Sequence, residues 1–333
     1  ISIMVNASLT SLTGLDNITS IEGDLAIYSN DALVSLMGLA NITFIGGDII
    51  ISNNNALVSL TGMENISNIG GDITINANNA LTNLAGLEGL NLIPGSLSIF
   101  DNHSLADMAG LNNLNSIEEN LVIGAGSYNI GNPSLTSLTG LEGLNSIGGN
   151  ADIHNNDTLP NLTGLEGLTT IGGDIHIHNN RALTTMTGLE GLAYIGGYAD
   201  ISYNEALINM TGLEGLSSIG KDLSITSNDA LNMLTGLGHL NTVGGNLIIM
   251  FNNFLTSLAG LDGLASIGGD LSIVNNNALN SLSGLENIDK GSVHNINIYD
   301  NSTLSSCELN WLCEYLAGPN GSINIYNNAC LLY

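Results

Sequence analysis

A leucine opens a new unit of this chain every 24 residues, and that period limits the possible folds more than any other feature. The leucines are Leu9, Leu33, Leu57, Leu81, Leu105, Leu135, Leu159, Leu183, Leu207, Leu231, Leu255, Leu279 and Leu304. The step departs from 24 only twice, through a six-residue insertion within 124–133 and one extra residue ahead of Leu304. A unit this short cannot bury its own apolar face, so neighbouring units must stack into a continuous core. The 333-residue length would otherwise suggest about two globular domains, but the repeat replaces that expectation with a single array.

Two periods coexist inside a unit. In 159–182, Leu159, Leu162, Leu165, Leu168 and Ile171 recur every third residue, while Ile175 and Ile177 alternate after Gly172-Gly173. Alternation behind a glycine pair marks a short strand with one buried face. The three-residue period suits neither helix nor strand. It predicts a coil or 3₁₀-like path that returns one apolar residue to the core per turn. Stacked strands then pair in parallel. Asn30, Asn54, Asn78, Asn102, Asn156, Asn180, Asn204, Asn228, Asn252 and Asn276 fall three residues after the second apolar strand residue. Their amides are placed to satisfy backbone groups buried where each coil bends.

The run Leu25-Ala26-Ile27-Tyr28-Ser29-Asn30 resembles the L-x-I-x-x-N core of leucine-rich repeats. The next leucine follows the asparagine by three residues instead of two, and I-G-G-D precedes the strand. In this the chain looks most like the receptor L-domain branch and its long relatives in secreted microbial surface proteins. The resemblance covers nearly the whole chain and implies a binding scaffold, but it carries over no ligand residues. The expected fold is a repeat solenoid of 24-residue leucine-rich-type repeats, mostly β and coil, with one parallel sheet and a short C-terminal helix. Residues 1–303 form the solenoid in this reading. Residues 304–333 form a capping unit with a helix over Glu308–Ala317 and a last strand over Ile323–Tyr326.

Composition bounds the partners. Arg181, Lys221 and Lys290 are the only basic residues against thirty acidic ones, a net charge of −27. So few cations cannot neutralise phosphates, so neither nucleic acid nor an anionic lipid surface is expected as a partner. With apolar residues at 44% in strict order, disorder is excluded. No apolar run approaches the ~18 residues that span a bilayer, so no direct membrane insertion is expected. The start at Ile1 fits removal of a signal peptide. Cys307, Cys313 and Cys330 all lie near the C-terminal end, which suggests one local disulfide and an oxidising compartment. Three pairings are open.

Several clusters are candidates for chemistry. Asp24, Asp48, Asp72, Asp174, Asp222 and Asp270 recur at one position, either as a column that could take Ca²⁺ or because Asp suits the turn into the strand. Asp152 and His154, His176 and His178, and Asp200 lie on three successive strands and offer Zn²⁺-type ligands, against the plainer reading of exposed polar residues. Tyr28, Phe100, Tyr198, Tyr299 and Tyr326 face outward, as do the apolar Ile50, Val122, Ile248, Met250 and Val274. Of these, Tyr28, Ile50, Phe100, Tyr198, Ile248 and Met250 are the candidate binding residues for a protein or glycan surface. Asn17, Asn41 and Asn65 are N-x-S/T sequons one repeat apart, among ten such sequons. No phosphate loop with lysine, G-x-S-x-G elbow or H-E-x-x-H motif occurs, so a non-catalytic role is expected. The sequence reads as an extracellular or cell-surface recognition or adhesion module. A self-assembling homopolymer joined end to end through edge strands is the alternative.

Overall fold

The structure, a computed structural model, describes residues 1–125 and 130–330. Its chain forms two compact units, Ile1–Gly172 and Gly173–Tyr333, and each is a parallel β-solenoid of leucine-rich type. Among the described residues the first unit pairs the strands Ser2–Met4, Leu25–Tyr28, Ile49–Ser52, Ile73–Asn76, Leu97–Phe100, Leu121–Ile123 and Ala151–His154 in sequence order. The second pairs Ile175–His178, Ala199–Ser202, Leu223–Thr226, Leu247–Met250, Leu271–Val274, Ile296–Tyr299 and Ile323–Tyr326. Register follows the repeat directly. Ile27 stands opposite Ile51 and Ile51 opposite Ile75, while the extra residue ahead of Leu304 sets Ile273 against Ile298. A second ladder of two-residue strands lies just before the glycine pairs, as where Ser146–Ile147 pairs with Thr170–Ile171.

The three-residue period is a chain of tight turns. Leu159 N–H donates to Asn156 O at 3.0 Å, Leu165 to Leu162 O at 3.2 Å and Leu168 to Leu165 O at 2.9 Å. Each turn returns a leucine to a core where Leu159, Leu162 and Ile171 have no exposed surface. Gly164 sits between two of these turns at φ +116°, and a Cβ there would collide with the backbone carbonyl of Leu138 in the preceding coil. Only glycine meets both demands.

In each unit the asparagines form a buried amide ladder. Asn78 is fully buried, and its Nδ2 donates to Ile51 O at 2.9 Å and to Asn76 O at 3.1 Å. Its Oδ1 accepts the backbone N–H of Asn54 at 3.0 Å, and Asn102 Oδ1 accepts that of Asn78 at 3.1 Å. Among the described residues, thirteen non-glycine residues that directly precede ladder asparagines are left-handed, from Val5 to Asn327, with φ between 53° and 59°, whereas Gly131 ahead of Asn132 is not. Sequence reasoning did not anticipate this, because these positions hold Tyr203, Phe251 and Ala77 as well as the Asn and Asp that tolerate such φ. The bend is enforced from outside the residue: Ser29 N–H, for one, donates to Ser52 O of the next coil at 3.1 Å.

At the insertion, Ala125 and Ile130 pair as an isolated antiparallel bridge, and 126–129 lie outside the described residues. The ladder resumes at Asn132, whose Nδ2 reaches Ile99 O at 3.0 Å, so the extra residues leave the coil register intact. Near the other end the helix is Asn310–Ala317, two residues later than the sequence suggests, and it buries Trp311, Leu312 and Tyr315. Trp311 Nε1 donates to Leu285 O at 2.6 Å and the Tyr315 hydroxyl to His294 O. Cys307 and Cys330 form the disulfide and Cys313 is free and exposed, which selects one of the three pairings.

Two measurements test this account. Asn78→Ala leaves a buried N–H and a buried carbonyl unpaired and is expected to lower the unfolding free energy in urea by about 2–4 kcal/mol. Asn79→Ala, which loses only an exposed bond to Asn55, is expected to change it by less than about 0.5 kcal/mol. Cys330→Ser opens a loop of 23 residues and is expected to cost about 3 kcal/mol. The faster amide exchange should be confined to 304–330.

Candidate functional site

A rigid backbone ladder fixes which side chains leave the strand toward solvent. In a strand such as Leu247–Met250, Leu247 and Ile249 are fully buried while Ile248 and Met250 face outward. The second and fourth strand positions therefore form two outward columns. The left-handed residue that follows adds a third, occupied by Phe251 at 48% exposure.

In the first unit the proposed binding residues do not come together. Tyr28 donates its hydroxyl to Met4 Sδ at 2.9 Å. Ile50 lies between Ala26 and Thr74, and Phe100 stands opposite Asn76, so the polar strand Ile73–Asn76 separates the two apolar side chains. In the second unit Ile248 and Met250 share a strand, and Met250 continues into a row of other outward-placed residues. Met250 stands opposite Val274, Val274 opposite Tyr299, and Tyr299 opposite Tyr326. The two tyrosine rings stack 4.6 Å apart with planes 9° from parallel. Val274 is only 2% exposed although it faces outward, because its neighbours in the column close over it. Ile248 borders this row on one side and Phe251 on the other. Loss of hydration, then the neighbouring Tyr299 and Asp300, push the Tyr326 hydroxyl above the usual tyrosine pKa. Tyr198 stands apart from the row, just ahead of the strand Ala199–Ser202, with Lys221 Nζ 4.6 Å over its ring. Phe251 was missed in the sequence, and its signal was its place directly before the ladder residue Asn252.

The aspartate column has a structural use. Asp24 Oδ1 accepts the backbone N–H of Asp48 at 3.0 Å, Asp48 that of Asp72 at 2.8 Å, and Asp72 that of Ser96 at 2.7 Å. In the second unit Asp174, Asp222 and Asp270 do the same for Tyr198, Asn246 and Asn295. These residues precede the strands and serve as acceptors for the next coil, a use that neither the calcium reading nor the local-turn reading of the column named. A second acidic position caps the left-handed glycines: Glu88 accepts from Gly86 N–H at 2.8 Å, and Glu142, Glu166, Glu190 and Glu214 repeat the bond.

The histidine cluster is divided between the units. In the first, His154 Nε2 lies 3.8 Å from Asp152 Oδ1, with His154 only 6% exposed. In the second, the His176 and His178 rings meet edge to face at 6.2 Å, and Asp200 stands opposite His176. Among the described residues no group of three or more His, Cys, Asp or Glu is placed to hold a metal ion. Asn17, Asn41 and Asn65 are exposed. Asn41 and Asn65 donate Nδ2 to Asp16 O at 2.6 Å and Ala40 O at 2.7 Å. By contrast, the sequon residues Asn102, Asn156 and Asn301 are fully buried in the amide ladder.

The coil geometry defines the class: a leucine-rich-type solenoid with one ladder asparagine per turn. A leucine-rich repeat protein from Bacteroides ovatus aligns over 92% of this chain and 83% of its own, at 13% identity and a TM-score of 0.32. The TLR13–ssRNA13 complex aligns over 95% of this chain and 56% of that one, at 15% identity and a TM-score of 0.25. No family model and no curated sequence matches the chain. The assignment of class therefore rests on the coils themselves.

If the aspartates act as acceptors, Asp72→Asn retains the bond to Ser96 and should keep stability within about 0.5 kcal/mol, whereas Asp72→Ala should lose about 1 kcal/mol. Calcium or a chelator should leave the melting temperature of either protein unchanged. A calcium-dependent rise abolished by Asp72→Asn would return the column to metal binding.

Proposed function

We propose that this chain is a non-catalytic protein-recognition module that works in an extracellular or cell-surface setting and binds through the outward face of its second-unit sheet. One observation carries the reading: Met250, Val274, Tyr299 and Tyr326 form an unbroken apolar row on outward strand positions, with Val274 covered by its neighbours and the other three accessible. The equivalent positions on earlier strands of that unit hold His178, Ser202 and Thr226. A rigid, largely pre-ordered face lowers the entropic cost of binding, and tyrosine with methionine suits the centre of a protein contact. The Cys307–Cys330 disulfide supports an oxidising compartment.

The test is a panel of purified secreted and cell-surface ectodomains, screened by surface plasmon resonance against the wild-type chain and Tyr299→Asp. Binding at micromolar affinity or better, weakened at least about tenfold by the substitution, with unchanged circular dichroism, is the expected result. Glycan-array binding without any ectodomain hit would transfer the face to sugar recognition. Mass that grows with concentration in light scattering would favour the edge-strand assembly instead.

A further inference from the structure

The apolar row lies in a strongly anionic field, and its spacing across the strands is regular. Asp270 and Asp300 flank it, the first bonded through Oδ1 to Asn295 and the second to Asn327 Nδ2 at 2.8 Å, so both carboxylates are fixed in place. The chain's three basic side chains are placed elsewhere. Arg181 is 3.7 Å from Glu205, Lys221 covers Tyr198 at 4.6 Å, and Lys290 is 2.8 Å from Glu314. A partner that reaches the row therefore meets carboxylates and no cation.

Adjacent strands lie roughly 4.8 Å apart, whereas a helix turn rises about 5.4 Å. A helix laid along the row at roughly 25–30° to the stacking direction brings the two repeats into step, with one side chain per turn on each strand. An extended peptide, with same-side residues every ~6.6 Å, needs a tilt of about 43° to come into step and so leaves the row sooner. From this match of period and charge we infer that the face over Leu247–Tyr326 docks a cationic amphipathic helix of a partner protein. The helix sets apolar residues on Met250, Tyr299 and Tyr326, whose side chains cover Val274 between them, and lays Lys or Arg along its flanks toward Asp270 and Asp300. This rests on the recognition reading above and adds the partner's class.

The probes are three synthetic helical peptides of about four turns, labelled for fluorescence anisotropy. One carries leucine at i, i+4, i+7 and i+11 with lysine flanks, the second replaces the lysines by glutamate, and the third replaces the leucines by serine. Targets are the full chain, the double variant Met250→Ser with Phe251→Ser, and the first-unit variant Asn76→Ser. The lysine–leucine peptide should bind wild type and Asn76→Ser alike. The double variant should weaken it by at least about tenfold, and so should half-molar salt. Both control peptides should bind at least about tenfold more weakly.

Equal binding by the glutamate peptide would overturn the charge complementarity. Equal binding by the serine peptide would reduce the interaction to nonspecific attraction by an acidic protein. An unaffected double variant would remove the site from this face. No binding by any peptide, alongside a Tyr299-dependent ectodomain hit, would overturn the helix while sparing the recognition reading. Failure of both screens would overturn both.

Discussion

The buried amide ladder is the interaction on which the rest of this protein depends. A solenoid coil must turn sharply after its strand, and the turn leaves backbone N–H and carbonyl groups inside the core, where each costs about 1–3 kcal/mol if unpaired. One asparagine per coil meets donors and acceptors on both sides: Asn54, Asn78 and Asn102 are bonded in series and none has exposed surface. Because each amide bonds the next coil, the ladder also fixes coil-to-coil register. That register lets the leucines of successive coils share one core. It also tolerates left-handed residues directly ahead of its asparagines, such as Tyr203 at φ 56°.

The extreme charge follows from the same need for acceptors. Asp48 and Asp72 accept backbone amides from the following coil, and Glu142 and Glu166 accept those of left-handed glycines. Neutral groups fill the same places elsewhere, Asn246 before Asp270 and Asn112 beside Gly110, so hydrogen bonding requires an acceptor there and not a charge. The preference for carboxylates adds mutual repulsion between molecules. Acidity here is largely a property of the scaffold. It nevertheless sets the sign of any partner that approaches the open face.

The outward face shows how a repeat separates scaffold from site. Inward positions are held to apolar residues, mostly Leu and Ile, by close packing, while outward positions are free to vary from coil to coil. In the second unit that freedom has collected Met250, Val274, Tyr299 and Tyr326 into one row, tight enough that Val274 is nearly covered. In the first unit the same freedom scatters Tyr28, Ile50 and Phe100 among polar neighbours. Recognition then depends on which variable positions are neighbours in register, and not on how many aromatics the chain contains.

The 24-residue period, the alternating strand pair and the recurring asparagine were enough to establish the solenoid, its parallel sheet and which strand positions point into the core, but not which outward positions stay exposed, since Val274 and His154 are covered. Each is a local pattern repeated with a constant step, and a constant step converts sequence position directly into spatial register. The tertiary structure alone decided which cysteines pair, because Cys307 and Cys330 are brought together by the last coil while Cys313 lies exposed on the helix between them. It alone showed the aspartates bonded to the following coil, since a side chain's partner lies a full repeat away. And it alone gathered Phe251 with Ile248 and Met250, because the left-handed bend that exposes Phe251 is imposed by bonds from the neighbouring coil and not by the residue itself.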